Sequence, residues 1–266
     1  MIEDKNYTVL HCHTMLSNGV TNIDSVTKYT DYINKAVECD MKALAFSEHG
    51  SFFEYLHKKE ACEKAGLKYI HAAEFYVTKS LEEKVRDNYH CLLIAKNYEG
   101  FKELNKLSSV SFNREDGHFY FAPRITFDEL INTSDNVIVS SACLGGIFAS
   151  DDPELKFAFL QFYVANRDRC FLEIAQHPSP QQVEYNKVLY DLSKKYNLQL
   201  VVGTDTHALN EEHADARLLL QRSKKVFFDN EGEFDMVWRT YDELVQMFDK
   251  QAMVIISYFF FKRLSY

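Results

Sequence analysis

Glycine and proline are scarce in this chain, nine and four among 266 residues. That scarcity excludes a flexible Gly/Ser or Pro linker, a collagen-like repeat and a low-complexity tract. No self-similar period of the kind that builds solenoids is present. The N-terminus, Met1-Ile2-Glu3-Asp4-Lys5, lacks a basic stretch leading into an apolar one, so no secretion signal is expected. The longest late apolar run, Ala252 to Phe261, is broken by Ser257 and is too short to span a bilayer, so no membrane association is expected. Six cysteines, at positions 12, 39, 62, 91, 143 and 170, lack paired spacing, which with no secretion signal predicts reduced thiols in a cytoplasmic protein. Basic charge is short as well, with 30 Lys and Arg against 39 Asp and Glu and a net charge of −9. A protein that grips nucleic acid through its own phosphate contacts carries a basic footprint. The balance argues against strong autonomous DNA binding and leaves a nucleotide or a DNA end open as substrate. A Gly-rich phosphate loop, a Gly-x-Ser-x-Gly elbow and a Cys-x-x-Cys pair are all missing.

What the chain does have is a short apolar stretch from Tyr7 that ends in His11-Cys12-His13. In a strand, side chains alternate, so both histidines face one way and can grip one divalent metal or two adjacent ones. Read alone, such a pair is more often two satisfied core or surface residues. The rest of the chain changes the weighing. Apolar strands are predicted at 42–46, 69–77, 89–95, 137–140, 170–174 and 200–204. Helices are predicted between them, at about 24–39 with Asp24 as N-cap, 53–65 closed by Gly66, 98–112, 127–131, 153–166, 181–196 and 211–221. The stretch around Asp116-Gly117 and Pro123 reads as loop.

Seven strands alternating with helices call for parallel strands and right-handed crossovers, and a chain of this length suffices for one large core. The pattern resembles a distorted TIM-like barrel with one unit fewer, a fold in which C-terminal strand ends build the active site. His11, His13, His49, Glu74, Cys143, Asp205 and His207 all fall at or just past such ends. His90, at the start of its predicted strand, fits less well. Taken singly, Asp205 reads as a helix cap and Cys143 as a small core residue, whereas a carboxylate at Glu74 in an apolar strand needs a partner or a cation. Glu173 reads equally as a partner behind the site or as a structural residue. His57, His71, His118, His177 and His213 are assigned structural roles.

The ordered motifs His11-x-His13-Thr14…Ser17, Glu48-His49-Gly50, Glu74-Phe75-Tyr76, His90-x-x-Leu93-x-Ala95-Lys96-Asn97, Ser141-Ala142-Cys143-Leu144-Gly145-Gly146, Phe171-Leu172-Glu173 and Asp205-x-His207 resemble the PHP (polymerase and histidinol phosphatase) superfamily. More narrowly, they resemble the PHP domain at the N-terminus of bacterial DNA polymerase III alpha subunits, over roughly residues 7–222. The resemblance implies a (βα)7 barrel with up to three divalent metals, zinc, manganese or iron before magnesium. It implies metal ligands at His11, His13, His49, Glu74, His90, Cys143, Asp205 and His207. A further family ligand usually follows as Asp in Ser-x-x-Asp; here Ser17 precedes Asn18-Gly19-Val20, leaving Asp24 through a longer loop or a vacancy. Glu48 stands where Asp is usual. The implied activity is metal-dependent phosphoester hydrolysis with His49, Glu74 and His207 catalytic, acting on a DNA 3′ end as a proofreading 3′–5′ exonuclease. Alternatives are a small-molecule phosphate monoester hydrolase of the histidinol phosphatase kind, and a non-catalytic module that contacts a polymerase core or other replisome subunits. Residues 1–222 are expected to form the PHP domain and 223–266 a C-terminal extension toward a polymerase, with no polymerase activity in this chain. The apolar Met253–Phe261 does not resemble the family's continuation, and if exposed it is expected to be adhesive.

Overall fold

Side-chain alternation along the strands sorts this protein into an inner and an outer set of residues. The computed structural model describes residues 7–21, 23–82, 86–226 and 234–251. In chain order the elements are α1 (Tyr29–Glu38), β1 (Ala43–Phe46), α2 (Tyr55–Lys64), β2 (Lys68–Thr78), β3 (Tyr89–Ala95), α3 (Tyr98–Ser111), β4 (Phe119–Tyr120) and β5 (Ala122–Thr126). There follow α4 (Phe127–Ile131), β6 (Val137–Ser140), α5 (Pro153–Ala165), β7 (Cys170–Ile174), α6 (Pro180–Tyr196), β8 (Gln199–Val202), α7 (Glu211–Ser223) and α8 (Tyr241–Lys250). The apolar stretch Met253–Phe261 lies outside the described residues.

The strands form one curled sheet in the order β4-β5-β2-β3-β6-β7-β8, with β1 also paired to β2. The long β2 takes β1 in parallel at Lys68–His71 and β5 in parallel at Tyr76–Thr78. Residues 7–13, expected as a strand, form no regular strand but close the ring. On one side Ala45 N donates to Val9 O at 3.0 Å and Ser47 N to Cys12 O at 2.9 Å. On the other, His13 N donates to Thr206 O at 2.8 Å and Thr206 N to His11 O at 3.1 Å. The result is the distorted TIM-like barrel that the alternation of elements suggests.

Outward-facing residues such as Phe75, Leu93, Val139 and Leu172 pack against the helices in the main core. Inward-facing Ala45, Ala72, Leu92, Ile94 and Val201, with Leu10 and Ala142, form a small separate apolar plug. Continuing toward the rim, the same inner faces turn polar, Ala72 giving way to Glu74 and Phe171 to Glu173. Residues 234–251 join the main core through Trp238, Leu244 and Phe248, and the Trp238 ring stacks on Tyr32 at 5.6 Å.

Three expectations are corrected. The strands are not all parallel: β3 runs antiparallel to both β2 and β6, because β2 returns through a hairpin and not a crossover helix. The start of β3 therefore lies at the same end as the finishes of its neighbours, which removes the misfit of His90. The first helix begins at Tyr29, with Lys28 at its N-cap, so Asp24 does not cap it. The stretch read as loop around Pro123 contains the β4–β5 hairpin, where proline is tolerated beside a two-residue partner strand.

Phe159 on α5 is fully buried, with the rings of Tyr163 and Phe148 at 4.6 and 4.9 Å. Phe159→Ala is expected to cost about 3–5 kcal/mol of folding stability, read as a shifted midpoint in urea unfolding.

Candidate metal centre

The polar ends of the inner faces converge into three groups of side chains with metal-ligand chemistry. They are His13, Asp24, His49 and His207; His11, His13 and Asp205, overlapping the first at His13; and, adjoining these without a shared residue, Glu74, His90 and Cys143. All nine residues expected at the site therefore lie in one place, including Asp24 and His90.

Glu74 sits between the groups. Its Oε1 lies 3.3 Å from His11 Nε2, 3.0 Å from His90 Nδ1 and 3.8 Å from Cys143 Sγ. Its Oε2 lies 3.5 Å from His13 Nε2 and 3.0 Å from His49 Nδ1. Asp205 Oδ1 is 3.3 Å from Nε2 of both His11 and His13. Asp24 Oδ1 is 3.3 Å from Nε2 of both His49 and His207.

Partners behind the rings set their orientation, as metal-ligating histidines require. His11 Nδ1 donates to Glu173 Oε1 at 2.5 Å, and Glu173 Oε2 accepts from Ser140 Oγ at 2.6 Å. His207 Nδ1 donates to the Asp205 carbonyl at 2.7 Å, leaving Nε2 toward Asp24. Ser17 Oγ donates to Glu48 Oε2 at 2.6 Å, so it accepts from His13 Nδ1 at 3.2 Å. His11 and His13 thus turn their Nε2 atoms to each other, 3.1 Å apart. Lone pairs brought that close call for a proton or a cation between them.

The electrostatics say the same. Burial pushes the His11 pKa down, but Glu173, Asp205 and Glu74 overcome it and hold it well above the ordinary value. Burial likewise opposes charge on His49, yet Asp24 and Glu74 raise it to about 10. His13, buried and flanked by His49 and His207, is lowered to about 4. Burial alone pushes the Glu74 carboxyl up; His90 and His11 outweigh it and hold it well below the carboxylate range. The carboxylates thus draw protons onto neighbouring imidazoles, where a divalent cation would supply the same charge. Even so, Asp24 Oδ2, His49 Nδ1, Glu74 Oε2 and Asp205 Oδ1 are buried with neighbours at ion-pair distance but none in hydrogen-bond geometry. Buried polar atoms left in that state are costly unless something coordinates them, and the carboxylate, imidazole and thiol donors suit borderline divalent metals. The residues fit a multi-metal centre.

Several contributors escaped the reading of the sequence. Asn18 replaces no ligand; its Oδ1 accepts from Asp24 N at 2.6 Å and Ser25 N at 3.1 Å and folds the loop that delivers Asp24. Arg217 Nε donates to the Asp24 carbonyl from α7. Glu48 faces away from the metal groups and is held by Lys58 Nζ at 3.1 Å, both side chains fully buried. Tyr76 stacks on His49 with ring centroids 5.5 Å apart. His177 is buried just past β7, its Nδ1 without a hydrogen-bond partner and its charge coupled to Asp205 and His207. A histidine just after a strand end was the available signal for it. The other histidines given structural roles stand apart: His71 stacks on Phe52 at 4.0 Å, His118 bonds Asp116 and Glu129, and His213 bonds Thr27.

Gly203 allows this arrangement, because a Cβ there would lie 1.8 Å from Glu173 Oε1. Gly203→Ala and Glu173→Gln are each expected to weaken divalent-cation affinity about 10–100-fold. Competition with a chromogenic chelator measures it, and unchanged affinity in both variants would refute the orienting role of Glu173.

A family model for the PHP domain matches residues 10–177. The DNA polymerase III subunit alpha of Borreliella burgdorferi is 33% identical over 216 residues, which are 77% of this chain and 19% of that protein. The corresponding subunit of Aquifex aeolicus is 31% identical over 249 residues, 86% of this chain and 21% of that protein. The chain spans about a fifth of the length of these curated relatives. Among solved structures, an amidohydrolase from Chromobacterium violaceum overlaps 77% of this chain and 89% of its own, with a TM-score of 0.49 and 13% identity. Among the described residues no helix is long and apolar enough to cross a membrane.

Proposed function

This chain belongs to the PHP domain family, and from that premise we propose that it is a divalent-metal-dependent phosphoesterase acting as a 3′–5′ exonuclease on DNA. The observation that carries the reading is the convergence of three donor groups on Glu74, side by side at the mouth of the barrel. A phosphodiester needs charge offset at both the attacked and the departing oxygen, and adjacent cation sites meet that need in one place. The DNA substrate is supported by the likeness to proteins named DNA polymerase III subunit alpha.

His11, His13, Asp24, His49, Glu74, His90, Cys143, Asp205 and His207 are the proposed ligands. Divalent cations held there supply Lewis acidity, which acidifies water toward neutral pH and neutralises phosphate charge. The chain's own residues supply the geometry. Glu173 and Ser17 fix the His11 and His13 rings from behind, so their Nε2 atoms point into the centre without further rearrangement. Glu74 spans the groups and keeps them in register. His49 and His207 flank Asp24 on the side nearer solvent, 5% and 4% exposed where His11, His13 and Glu74 are fully buried. That position suits them to order the substrate's leaving oxygen. The apolar plug lies beneath the donor groups on the same inner faces of the strands.

The test is elemental analysis together with hydrolysis of p-nitrophenyl phosphate, of bis(p-nitrophenyl) phosphate and of 3′-recessed DNA, with manganese or zinc added. Two or three metals per chain and metal-dependent shortening of the DNA are expected, as in the two- and three-metal logic of phosphoester cleavage. Asp205→Asn is expected to lower both metal content and cleavage by more than about 100-fold, beyond the effect of losing an orienting partner. Metal without cleavage would replace this reading with a non-catalytic module, and cleavage confined to monoesters would replace it with a small-molecule phosphatase.

A further inference from the structure

The β4–β5 hairpin stands beside the metal centre and is not used by the reaction. Its strand β5 pairs with β2 through Arg124 and Tyr76, and Tyr76 stacks on His49. Pro123 packs so tightly on Gly50, next to His49, that a Cβ on Gly50 would meet its ring at 2.6 Å. The hairpin turns on one residue, Phe121, with Tyr120 paired directly to Ala122.

Phe121 is unusual in two respects. It is 60% exposed, and it adopts a left-handed φ of 63°, where a bulky side chain is a strained choice and glycine the natural one. A ring kept in solvent at the expense of backbone strain points to a use for the ring. The guanidinium of Arg86 lies 3.6 Å over it, and Tyr120 meets it edge-on at 4.7 Å. The guanidinium of Arg114 covers Phe119 in the same way at 3.9 Å. From Phe119 the rings continue through Phe112 at 6.1 Å to Phe53 at 6.2 Å. Phe53 packs against Gly19, in the loop between His13 and Asp24.

Two exposed guanidiniums beside the rings offer an anion a local attraction. Of the carboxylates close to them in the chain, Asp87 meets Thr78 at 2.7 Å and Arg124 at 3.7 Å, Asp116 meets His118 and Asn113, both at 2.7 Å, and Glu115 is exposed. Arg86 and Arg114 are exposed, and among the described residues neither has a carboxylate partner. Rings stacked with guanidiniums that lack a carboxylate partner, Phe121 among them largely exposed, match the faces and phosphates of an unpaired strand, and the match does not depend on base sequence.

We propose that the β4–β5 hairpin is a docking surface for single-stranded nucleic acid, stacking bases on Phe121 and leading the strand end along the ring row into the metal centre. The proposal rests on the phosphoesterase reading for its purpose, and it reconciles a DNA substrate with a net charge of −9 by placing binding on a local surface. The test is fluorescence anisotropy of a labelled oligothymidylate of about 12 nucleotides with the full chain, in chelator so that no cleavage occurs. Because turnover is not read, failure of the hydrolytic reading leaves this result interpretable. Phe121→Ala and Arg86→Ala are each expected to weaken binding about tenfold or more. Phe121→Gly is expected to lose binding equally while keeping or raising thermal stability, since it removes the ring and relieves the backbone. An outer-surface variant, Leu219→Ala, is expected to bind as the parent does. The proposal is overturned if the parent does not bind, if the hairpin variants bind like it, or if the loss in Phe121→Gly tracks unfolding.

Discussion

Glu74 cannot be buried alone. A fully desolvated carboxylate costs several kcal/mol unless charge and hydrogen bonds compensate it, and Glu74 is fully buried at the centre of the rim. Four imidazoles and a thiol surround it within hydrogen-bond or ion-pair range. Each imidazole in turn needs a fixed direction, and that need propagates outward. His11 requires Glu173, Glu173 requires Ser140 and the space above Gly203, and His13 requires Ser17. The rim is thus a set of consequences of placing one carboxylate at the end of one strand.

The outermost of these consequences is the ion pair of Glu48 with Lys58. Glu48 binds the Thr14 backbone and hydroxyl at 3.0 and 2.7 Å and the Ser17 hydroxyl, which clamps the turn that follows the paired histidines. Its carboxyl, pushed up by burial, is brought below the ordinary range by Lys58 and these donors. Facing away from the metal groups, the glutamate is long enough to reach both the turn and Lys58. Buried pairs of this kind add little net stability but fix one arrangement over others. Here the arrangement fixed is the spacing between His13 and His49, whose rings stack at 4.3 Å.

How far this was legible in the sequence varies with the physics involved. Strands 89–95, 137–140 and 170–174 match β3, β6 and β7 residue for residue, because an apolar run bounded by polar ends is an unambiguous signal. Strand direction is a different matter. Alternation reads the same both ways, so nothing local marked β3 as antiparallel, and His90 looked misplaced until the hairpin from β2 was known. Asp24 failed as a helix cap because an acid before an amphipathic stretch is the usual cap signature. Its true placement depends on Arg217, 193 residues away. Lys58 lies in Tyr55–Lys64, a helix with two other charges of each sign and no clear apolar stripe, so only its partner Glu48 reveals its burial. The motif residues were legible as chemistry, and Glu173 as a candidate behind them; Asn18, Lys58 and Arg217 were not, because hydrogen bonds across the fold leave no periodic trace.

Closure of the barrel and assembly of the centre are one event. The segment 7–13 has no strand regularity of its own and depends on hydrogen bonds to β1 on one side and to residues 204–206 on the other. Those same bonds bring His11 and His13 from the start of the chain against Asp205 and His207 near its far end. A cation bridging these groups therefore bonds to the closed ring and has no comparable site in the open chain. Ligand binding confined to the folded state stabilises it by mass action, about 2.7 kcal/mol at a hundredfold excess over Kd. Protons on His11 and His49 balance the same carboxylates less completely, since Glu74 Oε2 and Asp205 Oδ1 still lack a partner in hydrogen-bond geometry. The segment with the least regularity of its own thus carries His11 and His13, and a cation held between them and Asp205 would act as a clasp of the barrel.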